Sequence, residues 1–276
     1  VFTFEIIEKI SHESNRRYSD HRNKENNGRL IVFKKELKID KLSFSFSNDI
    51  VILKEINFTI QKGETIGIIG RSGSGKTTLL NILLRFYKEK EGSIQVDGLS
   101  LREEDTPSWR SLIGYVPQEV FIFDGSLAEN IALGEDPENV NVNLLNQVIE
   151  KANLADLVKS WENGIYTQIG ERGGKLSGGQ KQRIGIARAL YKGAEILFFD
   201  EATSALDVET EEEITNSIKE LSSGDHQLTI IIIAHRYTTL KYCTRIIELA
   251  EGRVVEEMTY EELKERAQKE ALGSTP

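Results

Sequence analysis

The pattern of apolar and polar positions divides the chain into segments with different periods. The stretches "LKIDKLSFSF" (37–46) and "INFTI" (56–60) alternate apolar and polar residues, which predicts half-buried antiparallel strands. The runs "TIGIIG", "EILFFD" and "LTIIIIAH" are apolar almost throughout, which is typical of strands that are covered on both faces. The chain therefore contains two kinds of predicted strand.

Helical patterns separate these strands. The segment "TTLLNILLRFY" is apolar nearly all round, which predicts a buried helix directly after "TIGIIG". The middle of the chain, about 119–192, contains the helix pattern "NVNLLNQVIEKANLADLVKSW" and no convincing strand. A helix over "VETEEEITNSIKEL", a hairpin over "RIIELAEGRVVEE" and a charged terminal helix follow. The predicted fold class is α/β, with a core that is interrupted by a helical lobe.

The two ends of the chain differ in character. "VFTFEIIEKI" has helical apolar spacing, and the polar stretch after it predicts a linker, so 1–29 is separated from a globular domain at 30–276. Within that domain the helical lobe is predicted at 118–192. The apolar runs are far shorter than the roughly 20 residues that a membrane helix needs, so we expect this chain to be soluble. Its start at Val1, without a methionine, is compatible with a fragment of a larger protein.

Composition narrows the possible functions. The 276 residues are 39% hydrophobic and 29% charged, which is ordinary for a globular protein, and the net charge is −9. An acidic chain is a poor candidate for nucleic-acid binding, which needs a surplus of Lys and Arg. The single cysteine, Cys243, excludes an internal disulfide and a cysteine-based zinc site, and it favours a reducing compartment.

A phosphate-binding loop follows the first apolar strand. The segment "GRSGSGKTT" (70–78) fits G-x-x-x-x-G-K-[ST] and lies between a predicted strand and a predicted helix. Its glycines allow a tight turn that directs backbone N–H groups at the phosphates. Lys76 supplies positive charge to the β- and γ-phosphates, and the Thr77 hydroxyl is a ligand for Mg²⁺. The predicted nucleotide-binding residues here are Gly70, Arg71, Ser72, Gly73, Ser74, Gly75, Lys76, Thr77 and Thr78.

Two acids follow the strand "EILFF". Asp200 lies where it can hold Mg²⁺ through water, and Glu201 is suited to orient or deprotonate an attacking water. His235, at the end of the last apolar strand, is either a hydrogen-bond donor to a γ-phosphate or a structural histidine. Gln118 is either a contact to Mg²⁺ or water, or a surface residue. The residue pattern alone leaves both alternatives open.

A second glycine-rich segment, "LSGGQKQR", opens a predicted helix. Ser177 and Gln180 form the S-x-x-Q pattern of a capping box, and Gly178 and Gly179 leave backbone N–H groups accessible at the helix start. The segment is therefore either an ordinary capped helix or a second anion site. If two copies of the chain face each other, this site covers the nucleotide that the other copy's phosphate loop holds.

Together these motifs resemble one family. "GRSGSGKTT", "LSGGQ", "ILFFDEATSALD" and "AHR" occur in the order found in the nucleotide-binding domain of ATP-binding cassette (ABC) proteins, and the resemblance covers about 37–257. It implies a P-loop NTPase core with an antiparallel β subdomain and an inserted α-helical subdomain. It also implies a head-to-tail dimer, in which two ATP molecules with Mg²⁺ lie between one subunit's phosphate loop and the other's "LSGGQ".

The resemblance also assigns roles to residues. Ser177, Gly178, Gly179 and Gln180 become the signature segment that contacts ATP in trans, and Gln118 becomes the glutamine that senses Mg²⁺. Glu201 becomes the catalytic base, His235 the switch histidine, and Asp207 the residue that couples the two sites. Phe46 takes the position of an adenine-stacking tyrosine. The nearby Phe44 fits a core position better.

The segments around the signature resemble exporter-type cassettes, and "FTFEIIEKI" within 1–29 resembles the end of the membrane-domain helix that precedes such a cassette. In these cassettes, "GERG" precedes the signature, so Glu171 and Arg172 are expected to contact the coupling helices of a transmembrane domain. The expected protein is the ATPase domain of an exporter at the cytoplasmic face of a membrane, reaching the membrane only through that domain, with no nucleic-acid partner. The expected cargo is a lipid, lipid-linked glycan, peptide or drug. A cassette ATPase of DNA repair or translation would carry coiled-coil inserts or a second cassette, and a silent regulatory module would lack Glu201, His235 or Ser177.

Overall fold

The structure, a computed structural model, describes residues 28–273 except for 48–49, 171–173, 175, 204–206, 224–227 and 235. Its strands are β1 (Glu36–Ser47), β2 (Ile50–Gln61), β3 (Thr65–Ile69), β4 (Glu91–Val96), β5 (Leu99–Ser100), β6 (Ile113–Val116), β7 (Ile196–Asp200), β8 (Thr229–Ile233), β9 (Arg245–Ala250) and β10 (Arg253–Met258). Its α-helices are α1 (Lys76–Leu83), α2 (Thr106–Ser111), α3 (Leu127–Ile131), α4 (Val142–Lys151), α5 (Ala155–Lys159), α6 (Gly178–Tyr191), α7 (Val208–Ser223) and α8 (Tyr260–Gly273). Short 3₁₀ helices lie at Pro137–Asn139, Gly164–Tyr166 and Tyr237–Leu240.

The central sheet contains six strands in the order β10-β9-β3-β8-β7-β6. Strands β9, β3, β8, β7 and β6 are parallel, and β10 pairs antiparallel with β9 at one edge. The carboxyl ends of parallel strands meet at the same edge of a sheet, which is where α/β proteins bind ligands. The phosphate loop after β3 and Asp200 at the end of β7 therefore lie at the same edge, on either side of β8.

Strands β7 and β8 are buried on both faces, as their continuous apolar sequence predicts. Their side chains alternate between two hydrophobic cores, because successive residues of a strand point to opposite faces. One core, shared with the helical lobe, contains Leu197, Phe199, Ile230 and Ile232. The other, shared with the antiparallel sheet, contains Ile196, Phe198, Ile231 and Ile233.

The second sheet is antiparallel, with four strands in the order β2-β1-β4-β5. The prediction that the two alternating segments are antiparallel strands is confirmed, and they pair with each other, with Leu37 opposite Ile60 and Ile39 opposite Phe58. The turn between β9 and β10 joins this sheet to the phosphate loop. The Gly252 carbonyl accepts a hydrogen bond from Lys54 N at 2.7 Å, and Gly252 N donates to the Ser74 carbonyl at 3.2 Å.

The helical lobe lies between the phosphate loop and β7 in sequence. Among the described residues of 118–192, helices α3 to α6 and two 3₁₀ helices account for the regular structure, apart from one isolated bridge between Ser126 and Gln168. The predicted fold class is confirmed, whereas the domain boundaries stay predictions. None of the helices in the described ranges combines the length and apolar character that spanning a membrane requires.

Several elements differ from the sequence-based prediction. The helix expected over "NVNLLNQVIEKANLADLVKSW" is broken into α4 and α5, because Asn153 adopts a positive φ of 54°. The four-residue strand β6 was not predicted at all. The helical pattern "VFTFEIIEKI" and most of the predicted linker 1–29 lie outside the described residues.

Candidate functional site

The loop between β3 and α1 has the backbone that its glycines predict. Gly70, Gly73 and Gly75 all have positive φ, at 152°, 80° and 104°. A Cβ at Gly70 would lie 2.2 Å from the Leu249 carbonyl oxygen and 2.6 Å from Ser74 Oγ. A larger residue would therefore push the loop away from β9, and with it the backbone N–H groups that the motif directs at phosphates.

The Lys76 side chain lies inside this loop and is hydrogen-bonded to its backbone. Its side chain is buried, and Nζ donates hydrogen bonds to the carbonyl oxygens of Gly70 at 2.7 Å and Arg71 at 3.2 Å. Burial lowers the pKa of Lys76, while the nearby carboxylates of Glu201 and Asp200 act in the opposite direction. Lys76 and the two predicted acids thus belong to one electrostatic site.

The remaining loop residues differ in exposure. Arg71, Ser72, Gly73 and Thr77 are exposed, Thr78 is half-buried, and Ser74 is buried. The exposed residues form the rim of the loop, so Thr77 lies at an accessible surface.

Asp200 is held by a residue that the sequence analysis missed. Tyr115 on β6 donates its hydroxyl to Asp200 Oδ2 at 3.0 Å. Burial raises the pKa of Tyr115, and the charge of Asp200 and their hydrogen bond raise it further, so the phenol remains a donor. A single tyrosine within an unpredicted four-residue strand gave no signal that could have identified it.

Glu201 has an unusual backbone conformation. Its φ is 51°, in the left-handed region that residues other than glycine rarely adopt. Its N–H donates to the carbonyl oxygen of Ile233 at 2.9 Å, which ties it to the end of β8. This hydrogen bond therefore fixes the backbone position from which the Glu201 side chain extends.

Gln118 is exposed just after β6, and its backbone is anchored from the helical lobe. Gln182 on α6 is 3% exposed and donates from Nε2 to the carbonyl oxygens of Gln118 at 2.7 Å and Pro117 at 3.1 Å. Gln182 was also missed. A signal was available, because Gln182 lies one turn before the buried Ile186 and so falls on the buried face of α6.

The predicted capping box at the start of α6 is confirmed. Ser177 Oγ accepts a hydrogen bond from Gln180 N at 3.2 Å, and Gln180 Oε1 accepts one from Ser177 N at 2.9 Å. Ser177 and Gly178 are exposed. Because the Ser177 oxygen acts as an acceptor in the cap, its hydroxyl proton stays available to an anion. The cap and an anion site are therefore compatible.

Asp207 and Gly179 both contact Thr210, near the start of α7. Asp207 Oδ1 accepts from Thr210 N at 3.0 Å, and Oδ2 accepts from Thr210 Oγ1 at 2.9 Å, so Asp207 caps this helix. The hydrogen bonds from Thr210, the backbone one foremost, lower the pKa of Asp207. Gly179 packs on the same threonine, since a Cβ there would lie 2.2 Å from Thr210 Cγ2. The signature and the residue predicted to couple the two sites thus share one contact.

Phe46 is the accessible member of the aromatic pair on β1. It is 59% exposed, whereas Phe44 is 6% exposed, so Phe44 is the core residue of the pair. The Phe46 ring meets Phe44 and Tyr87 edge-on, with centroid distances of 5.1 Å and 5.5 Å. Its role in adenine stacking stays a prediction.

The structure brings some predicted residues together and leaves others apart. Lys76, Asp200 and Glu201 form one cluster. Within the described part of the chain, no hydrogen bond joins 70–78 to 177–180. The signature instead borders an open groove of about 550 Å³ between α5, α6 and α7. His235, Glu171 and Arg172 lie outside the described residues.

Comparison with known proteins agrees with these motifs. The family model described as ABC transporter matches residues 53–204. The chain is 43% identical to an uncharacterized ABC transporter ATP-binding protein of Bacillus subtilis, over 84% of the chain and 40% of that protein. It is 38% identical to an ATP-dependent lipid A-core flippase of Saccharophagus degradans, over 87% of the chain and 40% of that protein. It is also 43% identical to the mitochondrial iron-sulfur clusters transporter of Kluyveromyces lactis, over 83% of the chain and 31% of that protein.

A solved structure supports the same relationship. The chain resembles a bacterial Atm1-family ABC exporter with ATP bound, with a TM-score of 0.77 and 34% sequence identity. The match covers 91% of the chain and 44% of that exporter. The chain thus spans well under half the length of these relatives.

Proposed function

The chain belongs to the ABC transporter family, and we propose that it binds and hydrolyses Mg²⁺-ATP to drive an exporter. The family couples ATP hydrolysis to transport. The observation that carries the proposal is the cluster at the carboxyl edge of the central sheet. There, the glycine loop that Lys76 bonds lies at the same sheet edge as Asp200 and Glu201, whose charges act on Lys76. A loop with this backbone binds phosphate, and the neighbouring acids supply the metal ligand and the base for its hydrolysis.

Lys76 has two sets of acceptors available to it. Its ammonium now donates to two loop carbonyls, and phosphate oxygens are stronger acceptors because they carry charge. On ATP binding, Lys76 therefore turns from its own loop to the β- and γ-phosphates. The low exposure of Lys76 strengthens this interaction, since a charge in a site shielded from water is poorly screened.

The donor set at the site fits Mg²⁺. Asp200 offers a carboxylate, and the exposed residues Thr77 and Gln118 offer a hydroxyl and an amide. Hard oxygen ligands of this kind suit Mg²⁺. Tyr115 orients Asp200 through its hydrogen bond. Bound there, Mg²⁺ would neutralise charge on the phosphates.

Glu201 acts as the general base. Its carboxylate takes a proton from the water whose oxygen attacks the γ-phosphorus, and ADP leaves with the electrons of the broken P–O bond. The attachment of Glu201 N to β8 keeps this carboxylate at the sheet edge. Phe46 stacks on the adenine from the antiparallel sheet.

The signature completes the site of a second copy. Ser177, Gly178, Gly179 and Gln180 contact the nucleotide that the partner's phosphate loop holds, and Asp207 lies at the joint between the two sites. This explains why one chain carries two glycine-rich phosphate sites with no direct bond between them. His235 completes the γ-phosphate contacts. Closure of two such domains on ATP, and their opening after hydrolysis, moves the attached membrane domain.

The transported substrate belongs to the membrane domain. The relatives include a lipid A-core flippase and an iron-sulfur clusters transporter. We place the domain at the cytoplasmic face, with Glu171 and Arg172 toward the coupling helices, and with a lipid, lipid-linked glycan, peptide or drug as cargo.

Substitution of Glu201 tests the base. Glu201→Gln removes the proton acceptor but keeps the side-chain shape, so kcat is expected to fall about 10²–10⁴-fold while ATP still binds. ATP hydrolysis and equilibrium ATP binding are measured in parallel. Glu212→Gln, on the exposed face of α7, is the matched control and should keep wild-type turnover. Full turnover by Glu201→Gln rules out this residue as the base.

Mixed dimers test the shared site. Two differently tagged chains are combined in one dimer. In the opposite arrangement, one chain carries Lys76→Ala and the other carries Ser177→Ala. In the same-chain arrangement, one chain carries both substitutions and its partner is wild type. If each site combines one chain's phosphate loop with the other's signature, the opposite arrangement keeps one intact site and the same-chain arrangement keeps none. ATP turnover of purified mixed dimers is the measurement. Activity in the same-chain arrangement alone would show that each chain hydrolyses ATP by itself.

A further inference from the structure

A buried carboxylate connects the segment after β8 with the segment after Glu201. It belongs to none of the sequence motifs. Glu211 lies in the first turn of α7 and is 4% exposed. Its Oε2 accepts a hydrogen bond from Arg236 Nη1 at 2.6 Å. Its Oε1 accepts from the hydroxyls of Thr238 and of Thr239, the latter at 3.1 Å. Three of the four residues that follow His235 are therefore bound by one side chain.

The same network reaches the segment after Glu201. Thr239 Oγ1 lies 2.8 Å from Thr203 Oγ1, and both side chains are buried. An ionised carboxylate only accepts, so Thr239 uses its one proton on Glu211 and Thr203 must donate to Thr239. The hydrogen bonds thus run in one direction, from Thr203 through Thr239 to Glu211.

The backbone of Glu211 links the network to Asp207. Glu211 N donates to the Asp207 carbonyl oxygen at 2.9 Å, in the helix turn that the Asp207 side chain caps. Burial raises the pKa of Glu211, but the hydrogen bonds from Thr238, Arg236 and Thr239 lower it more. The carboxylate is therefore charged at neutral pH, and its buried charge is compensated by these partners.

We propose that Glu211 is a positioning residue for ATP hydrolysis, which aligns the segment after β8, the segment after Glu201 and the Asp207 cap. This inference rests on the proposed ATPase function. Within the described residues, no hydrogen bond of Glu211 goes to the phosphate loop or to the signature, so it acts through the groups that it holds. In a dimer, Asp207 lies at the joint between sites, so Glu211 connects that joint to the hydrolytic residues of its own chain.

The following variants distinguish a positioning role of Glu211 from a role in ATP binding and from a role in folding. Glu211→Gln keeps the size of the side chain but loses the charge and one acceptor oxygen. We expect kcat to fall at least about tenfold, because small displacements of reacting groups are costly, while the affinity for ATP changes less than about threefold. Thr239→Val breaks the same network with no change at Glu211 and should lower kcat similarly, whereas Thr239→Ser keeps the hydroxyl and should retain turnover. Glu212→Gln is the control from the same helix turn.

The double variant Glu211→Gln/Thr239→Val gives the sharpest readout. If both residues act through one network, its kcat is no lower than that of the worse single variant, since effects within one unit do not add. Normal kcat in folded Glu211→Gln, or fully additive losses, overturns the proposal. Unfolding of both single variants makes Glu211 a structural anchor and also overturns it. Absence of ATPase activity in the wild-type protein would instead refute the proposed function.

Discussion

The proposed base, Glu201, occupies a strained position. A non-glycine residue in the left-handed region costs about 1–2 kcal/mol, and such strain persists only where the surrounding structure fixes the backbone. Here the fixing contact is the hydrogen bond from Glu201 N to Ile233. The strain therefore comes with a carboxylate placed directly after β7, at the edge of the sheet where the phosphate loop lies. Stability and activity should conflict at this residue.

Replacement by glycine exposes that conflict. Glu201→Gly removes the strain of a positive φ, which offsets the entropy that glycine loses on folding. We expect its free energy of unfolding to stay within about 0.5 kcal/mol of wild type or to rise, while ATP turnover is lost. Glu212→Gly, in the regular helix α7, should instead lose about 0.5–1 kcal/mol. Urea unfolding of both variants is the measurement. Equal destabilisation of the two would show that Glu201 is not strained.

Single residues were predictable where a motif fixes their spacing. Lys76, Asp200 and Glu201 follow from a loop after one strand and two acids after another, and the structure clusters them. Glu211 is one of four glutamates in "ETEEE", and only its spacing, three residues before the buried Ile214, indicates that it faces the core. Its burial depends on residues 236–239, which only the fold brings to it. Partners that are so distant along the chain cannot be predicted from the sequence alone.

At the scale of elements, α6 and α7 approach closely at one glycine. Gly179 lies in helix α6 with ordinary helical geometry, so it is required for its size and not for its φ. The contact is the Cγ2 methyl group of Thr210, whose hydroxyl is held by Asp207. The signature helix and the capped end of α7 are thus in direct contact, and a shift of one element is transmitted to the other.

A paired substitution measures this contact. Gly179→Ala inserts a methyl group into the packed joint, and we expect a loss of about 1–3 kcal/mol in the free energy of unfolding. Thr210→Ser removes the opposing Cγ2 and keeps the hydroxyl that Asp207 binds. In the double variant the clash is gone and alanine favours the helix by up to about 1 kcal/mol over glycine, so stability should return. Chemical unfolding of the four proteins gives the coupling energy. Additive effects would mean that the two helices do not meet here.

Some elements are determined by their own sequence, and others by contacts with distant parts of the chain. Strands β3, β7 and β8 are predictable, because burial on both faces requires a continuous apolar run. The break between α4 and α5 has only a weak local signal, an asparagine that tolerates a positive φ, and Asn153 is also held in its turn from outside. Its Nδ2 donates to Ser217 Oγ at 3.0 Å, and its carbonyl accepts from Arg183 at 3.0 Å. Helix periodicity continues through this segment, and tertiary contacts interrupt it.

At the scale of the whole molecule, carboxylates bind together segments that are distant in sequence. Asp97 accepts hydrogen bonds from the backbone N–H groups of Lys34, Lys35 and Glu36, and so holds the chain that enters β1. Asp105, whose side chain is 1% exposed, pairs with Arg29. Together with Glu211, these acids have lowered pKa values because their ionised forms accept hydrogen bonds. The fold as a whole is therefore expected to lose stability in acid.

Asp105 gives the clearest test of that expectation. Its hydrogen bonds with Arg29, foremost, hold its pKa well below the ordinary value of 3.8. A carboxyl group whose folded pKa is lowered contributes stability above its unfolded pKa and loses that contribution as the pH falls toward the folded value. Asp105→Asn should therefore lower the free energy of unfolding by about 1.5–3 kcal/mol at neutral pH. The difference from wild type should stay constant down to about pH 5 and shrink below about pH 4.

Urea unfolding across this pH range, followed by circular dichroism, checks both the size and the pH dependence of the effect. Asp156→Asn is the matched control, because that aspartate is fully exposed beside Lys159 and its loss should change little at any pH. Constant stability differences at every pH would contradict the account, since an uncharged role for Asp105 would not titrate. If the difference narrows as expected, the charge of Asp105 holds Arg29 to the domain, and acid removes that contribution to the stability of the fold.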